Sequence, residues 1–146
     1  MIRTITSADR ETFLRMAYEF YHSEAVLHPI PDDYYTRAFD EMMRSEDYLL
    51  GLIFECEGKA AGYALLVKTW SQEAGGLTVW IDELYVLPEF RGRGIGRRFF
   101  TELETIAPAV RYRLEIEPDN VRAEALYRSV GFDVLAYKQM VMEKPQ

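Results

Sequence analysis

The stretch "VWIDELYVLPEFRGRGIG", residues 79–96, runs from an apolar segment into a loop that contains three glycines. Residues 77–87 are rich in β-branched and aromatic side chains, which predicts a strand. The apolar residues Ile95, Phe99, Leu103 and Ile106 then follow at helical spacing, which predicts a helix directly after the loop. A strand, a glycine loop and a helix in this order bring the unpaired N–H groups of the helix start to the carboxyl end of the strand.

The loop has the composition of an anion site. Gly92, Gly94 and Gly96 permit positive φ, so successive N–H groups can converge on one point. The helix that follows adds its own free N–H groups and the positive end of its dipole, an arrangement suited to a pyrophosphate. Four arginines add positive charge around the loop: Arg91, Arg93, Arg97 and Arg98. The sequence therefore predicts a phosphate cradle.

The loop does not match the common nucleotide-binding patterns. The dinucleotide pattern G-x-G-x-x-G, counted from Gly92, requires glycine where Arg97 stands, and the Gly-Lys-Ser/Thr of a P-loop is absent. A glycine-rich turn with a solvated basic face is the alternative without a ligand. Three glycines at alternate positions argue against that alternative, because turn geometry alone does not require them.

Composition and charge narrow the class of protein. The 146 residues fit a single domain over 1–146, with 49% hydrophobic residues. The 17 basic and 24 acidic side chains give a net charge of −7, which disfavours nucleic acid as a partner. One cysteine, Cys56, excludes an intramolecular disulfide and a cysteine metal cluster, and no metal is expected. A charged N-terminus and the lack of a long apolar run predict a cytoplasmic protein without a membrane partner.

The order of the predicted elements indicates an α+β fold. Two helices precede three strands that are joined by short turns, so these strands should be antiparallel. The third strand, the helix after the loop and a strand at 110–117 form a βαβ unit, which makes that pair parallel. A short helix over 120–131 and a final strand over 132–143 complete the prediction. A ligand crevice is expected beyond the carboxyl end of the third strand.

Three segments together resemble the GNAT N-acetyltransferase superfamily. "RGRGIG" is similar to its Arg/Gln-x-x-Gly-x-Gly/Ala loop, which binds the pyrophosphate of acyl-CoA, and the strand before the loop is similar to the family's fourth strand. "NVRAEALYRSVGF", from Asn120, is similar to the family's Asn-x-x-Ala-x-x-Leu-Tyr-x-x-x-Gly-Phe helix. "IRTI", from Ile2, would be the family's extra first strand. The resemblance covers nearly the whole chain and implies a mixed, mostly antiparallel sheet with a splayed parallel pair at its middle.

The resemblance also implies where acetyl-CoA would bind as cosubstrate. The cosubstrate would lie in the splay between residues 79–87 and 110–116, and a backbone N–H near Tyr85 or Val86 would polarise the thioester carbonyl. The residues that would contact it are Leu84, Tyr85, Val86, Arg91, Gly92, Arg93, Gly94, Ile95, Gly96 and Asn120.

Three side chains are candidates for the chemistry. Tyr127 resembles the tyrosine that protonates the leaving CoA thiolate. An acceptor amine with a pKa of roughly 10 is mostly protonated at neutral pH and needs a base. Asp82 and Glu83 are the candidate bases, and strand alternation predicts that they point to opposite faces. "IDELYV" resembles polyamine-acetylating members, which favours Asp82, and Glu83 acting through water is the alternative.

The function implied is transfer of an acetyl group to a primary amine of a small cationic molecule, directly within a ternary complex. The alternatives are acetylation of a protein N-terminus or lysine, and a non-catalytic acyl-CoA sensor. Tyr127 and both acids are present, which weighs against the sensor. Many members of the family form dimers, so a homodimer is compatible with the resemblance.

Overall fold

The computed structural model describes residues 1–146, which form five strands and four helices around one sheet. The strands are β1 (Ile2–Thr4), β2 (Leu49–Cys56), β3 (Lys59–Ser71), β4 (Gly76–Val86) and β5 (Arg111–Leu114). The helices are α1 (Arg10–Tyr21), α2 (Asp33–Arg44), α3 (Ile95–Ile106) and α4 (Val121–Ser129). The strands follow chain order across the sheet, all antiparallel except for the parallel pair β4–β5. The predicted α+β fold with a mostly antiparallel sheet is confirmed, including the short first strand, but the parallel pair lies at one edge of the sheet and not at its middle.

Helices cover both faces of the sheet. On one face, α1 and α2 bury a core in which Phe13 and Phe39 pack near Tyr63 of β3. On the other face, α3 places Phe99 and Leu103 against the aliphatic side chains of β2, β3 and β4. None of the helices has the length and apolar character that crossing a bilayer requires.

A β-bulge at Asp82 divides β4 into two halves. Leu66 pairs with Ile81 and Leu65 pairs with Glu83, so Asp82 has no opposite residue in β3. An extra residue reverses the face to which every later side chain points. Ile81 accordingly packs in the core under α3, whereas Tyr85 packs in the core under α1 and α2. The regular alternation expected from the sequence is interrupted at this residue.

The parallel pair separates at the same place. The pairing of β4 with β5 covers only four residues and ends where Ile81 meets Leu114. Strand β4 nevertheless continues to Val86, bonded to β3 on its other side. The last part of β4, residues 82–86, therefore presents its backbone to an open wedge between the two strands.

The predicted final strand over residues 132–143 is wrong. This segment has no regular structure, and its apolar side chains after Phe132, such as Val134 and Met140, are exposed. The segment is held by side-chain contacts, in which Tyr137 donates to Glu73 and Arg37 donates to Gln146. Strand β5 is short, so its outer edge offers little template for the cooperative ladder that a further strand requires.

Candidate active site

The glycine loop is open along its main chain. Gly92 and Gly94 adopt φ of 78° and 77°, in the left-handed region, and a Cβ at either position would meet no neighbouring atom. Every N–H from Gly92 to Arg97 lacks an acceptor in the protein, and the first intrahelical bond runs from Arg98 to the Gly94 carbonyl. These donors lie at the start of α3, beside the wedge, and their number and arrangement fit a pyrophosphate.

One detail of the loop differs from the prediction. Gly96 lies inside α3 and does not adopt positive φ. A Cβ there would lie 3.8 Å from a Leu126 methyl of α4, which is an ordinary contact, so the fold does not require glycine at this position. Gly92 and Gly94 are therefore the two glycines that shape the loop.

The arginine side chains of the loop are partly engaged within the protein. Arg91 donates from Nε to the Val86 carbonyl at 2.9 Å, with its guanidinium over the Tyr85 ring. Arg93 lies over the Phe90 ring, and Arg97 donates to the Ser129 hydroxyl on α4 at 3.0 Å. The main chain of the loop is thus free, while its charges are fixed around it.

The two acids of β4 lie at the bulge, in different environments. Glu83 is 8% exposed, while Asp82 is exposed at the mouth of the wedge. Burial raises the pKa of the Glu83 carboxyl. The pKa of Asp82 is also raised, by the protein atoms that replace part of its solvent and by the charge of Glu115, although the residue keeps an open path to water. Asp82 is close enough for its charge also to raise the pKa of Glu83. The bulge therefore gathers two weakly acidic carboxyls at one end of the wedge.

Two tyrosines that the sequence did not mark as site residues hold Glu83. Tyr21 of α1 donates to Oε2 at 2.5 Å, and Tyr63 of β3 donates to Oε1 at 2.6 Å. Both tyrosines have the sequence spacing of core residues, and Tyr21 belongs to the apolar stripe of α1. The one signal for Tyr63 is a hydroxyl within the otherwise aliphatic run "AGYALLV", where a buried phenol requires a partner.

Tyr127 and Asn120 belong to α4 and its N-cap, which follow β5 in the chain. The Tyr127 ring packs edge-on against Phe100 and Phe132, and burial raises the pKa of its phenol. Tyr127 also lines a cleft of about 400 Å³ together with residues 111–116 and the C-terminal segment. Asn120 caps α4, because its Oδ1 accepts from the Ala123 N–H at 3.1 Å. The amide group of Asn120 keeps its two N–H donors for another partner.

Comparison with known proteins identifies the family. The sequence profile of the Acetyltransferase (GNAT) family matches residues 12–132. A protein of Mycobacterium leprae is 32% identical over 91% of this chain, and mouse thialysine N-epsilon-acetyltransferase is 24% identical over 89% of it. The N-alpha-acetyltransferase RimI of Mycobacterium tuberculosis is 43% identical over 49% of the chain. The chain spans 34% of the M. leprae protein, 82% of the mouse enzyme and 42% of RimI.

Solved acetyltransferase structures have the same fold as this chain. A possible acetyltransferase from Clostridium difficile superimposes with a TM-score of 0.85 at 22% identity, covering 100% of this chain and 98% of the other. Aminoglycoside N-acetyltransferase AAC(6')-Iy, solved with CoA, superimposes with a TM-score of 0.75 at 17% identity, covering 100% of this chain and 94% of the other. The profile match extends over most of the sequence and agrees with this architecture. The chain therefore belongs to the GNAT family of acetyltransferases and carries an N-acetyltransferase domain.

Proposed function

We propose that residues 1–146 act as one domain that transfers an acetyl group from acetyl-CoA to a primary amine of a small cationic molecule, directly within a ternary complex. The observation that carries the proposal is the run of free N–H groups from Gly92 to Arg97, placed where β4 and β5 separate. A pyrophosphate on this loop directs the rest of an extended cosubstrate into the wedge, toward the two acids of β4.

The cosubstrate site would be made mostly of main chain. The loop from Arg91 to Gly96 would hold the pyrophosphate, and the backbone of Leu84 to Val86 would pair with the extended arm. Asn120 would donate to that arm through its free amide hydrogens. Acetyl-CoA, when bound, supplies the acetyl group as a thioester. A backbone N–H near Tyr85 or Val86 would stabilise the negative charge that develops on the thioester oxygen.

Glu83 would accept the proton of the acceptor amine, directly or through one water. A base works best when its pKa lies near the operating pH, and burial moves Glu83 in that direction. Glu83 forms no ion pair within the protein, so an arriving ammonium group would be its first cationic partner. The neutral nitrogen would then attack the acyl carbon, the C–S bond would break, and Tyr127 would give its phenolic proton to the departing sulfur. The nitrogen would release its second proton to water, and the Tyr127 phenolate would regain a proton from water.

We expect Tyr127→Phe to lower kcat about 10²-fold and to leave the Kd for acetyl-CoA nearly unchanged, because only the proton donor is lost. The raised pKa of Tyr127 keeps the phenol protonated through mildly alkaline pH, as a donor requires. Steady-state kinetics and calorimetry measure the two effects. Tyr112→Phe is the matched control, since Tyr112 is a residue of the same cleft whose hydroxyl donates to the Ala107 carbonyl. Wild-type turnover by Tyr127→Phe would remove the acid role.

Asp82 would attract the cationic acceptor from the mouth of the wedge. An exposed charge contributes roughly 1 kcal/mol or less to such an interaction. We therefore expect Asp82→Asn to raise KM for a diamine about 3- to 5-fold, and to change KM for a monoamine of equal length less. The comparison of the two substrates at low and moderate salt measures the charge effect. A 10²-fold fall in kcat for both amines would instead make Asp82 the base.

The proposal is tested by release of free thiol from acetyl-CoA against a panel of amines. The panel contains polyamines, thialysine, aminoglycosides and short peptides with a free N-terminus. Thialysine and aminoglycosides are the acceptors named for two of the similar proteins, and both are small and cationic. Turnover with small polycations and none with peptides would support the proposal. Failure of the wild-type protein to bind acetyl-CoA in calorimetry would contradict the proposed function.

Acetylation of a protein N-terminus is the second candidate. The observation that favours it is the local similarity to RimI, at 43% identity over 72 residues. The same panel separates the candidates, because a peptide acetyltransferase would prefer a free α-amine followed by a specific side chain over a diamine of equal charge.

A further inference from the structure

The Glu83 carboxylate has one fixed donor on each oxygen. Tyr21 reaches Oε2 from α1 and Tyr63 reaches Oε1 from β3. The side chain of Glu83 is thereby tied to two elements other than its own strand. A carboxylate held at both oxygens cannot rotate freely, so the lone pairs that remain are kept in fixed directions.

The groups that face Glu83 carry no positive charge. Tyr21 faces it from α1, Tyr35 from α2, Tyr63 from β3 and Asp82 from β4. Burial raises the pKa of Glu83, and the hydrogen bonds from Tyr21 and Tyr63 lower it. The two phenols are therefore the groups in the protein that favour the ionised carboxylate.

We propose that Tyr21 and Tyr63 are positioning residues that hold the Glu83 carboxylate ionised and oriented to take the proton of the acceptor amine. The assignment rests on the proposed function, because it takes Glu83 to be the base of the acetyl transfer. It gives the two phenols a role beyond joining α1 to the sheet.

The choice of tyrosine over a cation has a chemical reason. A buried arginine would pair with Glu83 and hold the pKa of that carboxyl well below neutrality, which would make it a weak base. A phenol stabilises the carboxylate by hydrogen bonding without adding a charge, so the approaching ammonium meets no repulsion. The pKa values of Tyr21 and Tyr63 are raised by burial and by the Glu83 charge, so both phenols stay protonated and remain donors.

The test compares pH profiles of kcat/KM for wild type, Tyr63→Phe and Tyr21→Phe with one acceptor amine. Each variant removes a donor from the carboxylate, so the pKa of Glu83 rises and the acid limb of the profile moves to higher pH. A hydrogen bond to a charged group corresponds to a shift of about one pH unit or somewhat more. The titration of the acceptor is common to all variants, so a difference between profiles reports a group of the protein.

Tyr35→Phe is the matched control. Tyr35 is 4% exposed, and its ring lies 5.6 Å from that of Tyr21, but its hydroxyl has no hydrogen-bond partner. The substitution removes the same atom from the same cluster without removing a bond to Glu83. We expect the acid limb of Tyr35→Phe to coincide with that of wild type.

A second readout does not depend on activity. The carbon-13 signal of the Glu83 carboxyl, assigned by its loss in Glu83→Gln, gives the pKa of this group directly in each variant. A rise in this pKa for Tyr63→Phe and Tyr21→Phe, with none for Tyr35→Phe, supports the proposal.

The outcomes separate this proposal from the proposed function. Turnover by the phenylalanine variants with an unmoved acid limb and an unmoved Glu83 pKa would overturn the tyrosine assignment alone. A wild-type protein that acetylates no amine would overturn the proposed function, and the tyrosine assignment with it. Tyr21 is only half-buried, so Tyr21→Phe keeps the test decisive if Tyr63→Phe fails to fold.

Discussion

Gly94→Glu is expected to weaken acetyl-CoA binding about 10³-fold and to leave the protein folded. The new carboxylate would stand at the N-terminus of α3, among the free N–H groups that are proposed to hold the pyrophosphate. The lost charge-assisted hydrogen bonds, together with like-charge repulsion, amount to roughly 4 kcal/mol. Nothing lies within 4 Å of a Cβ at this position, so the side chain does not clash. Calorimetric titration with acetyl-CoA measures the effect.

Two control variants separate charge from backbone strain. A residue other than glycine at φ of 77° costs about 1–2 kcal/mol of stability. Gly94→Ala carries that strain without the charge. Gly75→Glu introduces both the strain and the charge at the opposite end of β4, where φ is 78° and a Cβ would also have no atom within 4 Å. Both controls should bind acetyl-CoA within a few-fold of wild type. Equal losses in Gly94→Ala and Gly94→Glu would mean that loop shape, and not charge, decides binding.

Glu83→Gln should lower kcat/KM about 10³-fold while the Kd for acetyl-CoA stays the same. The amide cannot accept the proton of the amine, and general base catalysis is worth roughly 10²- to 10⁴-fold. The fold should tolerate the change, because the amide oxygen still accepts from one phenol and the NH₂ group can donate to the other. Replacing a buried charge by a neutral group of equal size is often stabilising, so we expect Tm to be equal or higher.

The combination of lost activity and retained stability is the informative result. A carboxylate that served only to join α1 to the sheet would give the opposite pattern, with a lower Tm and nearly normal turnover. Glu19→Gln is a suitable control, because this acid accepts a longer bond of 3.3 Å from Tyr85 at the same side of the sheet. We expect its kcat/KM to remain near that of wild type.

The cosubstrate side of the fold could be predicted because local chemistry determines it. The glycines of "RGRGIG" indicate positive φ within one loop, and Gly92 and Gly94 adopt such φ values. The direction of the parallel pair follows from the helix that connects its strands. Such features depend on neighbouring residues, so they can be inferred from a short segment of sequence.

The acceptor side could not be predicted in the same way, because long-range pairing determines it. Nothing in "WIDELYV" marks Asp82 as an extra residue, since a bulge is a property of two paired strands. Tyr21 and Tyr63 are 42 positions apart and meet only through the packing of α1 on the sheet. The final strand over 132–143 was predicted from this segment alone, and a segment does not show whether the neighbouring strand is long enough to pair with it.

The bulge has a consequence for how this chain can diverge. The faces of the last residues of β4 follow from their pairing with β3, in which Leu65 lies opposite Glu83 and Tyr63 lies opposite Tyr85. Deletion of Asp82 would leave these pairs and their faces unchanged, because Ile81 and Glu83 would then be neighbours on a regular strand. Deletion would remove only the local bend of β4, at the residue where β5 separates from it. Natural variants that lack this residue should therefore keep the core of the sheet and lose the opening between β4 and β5.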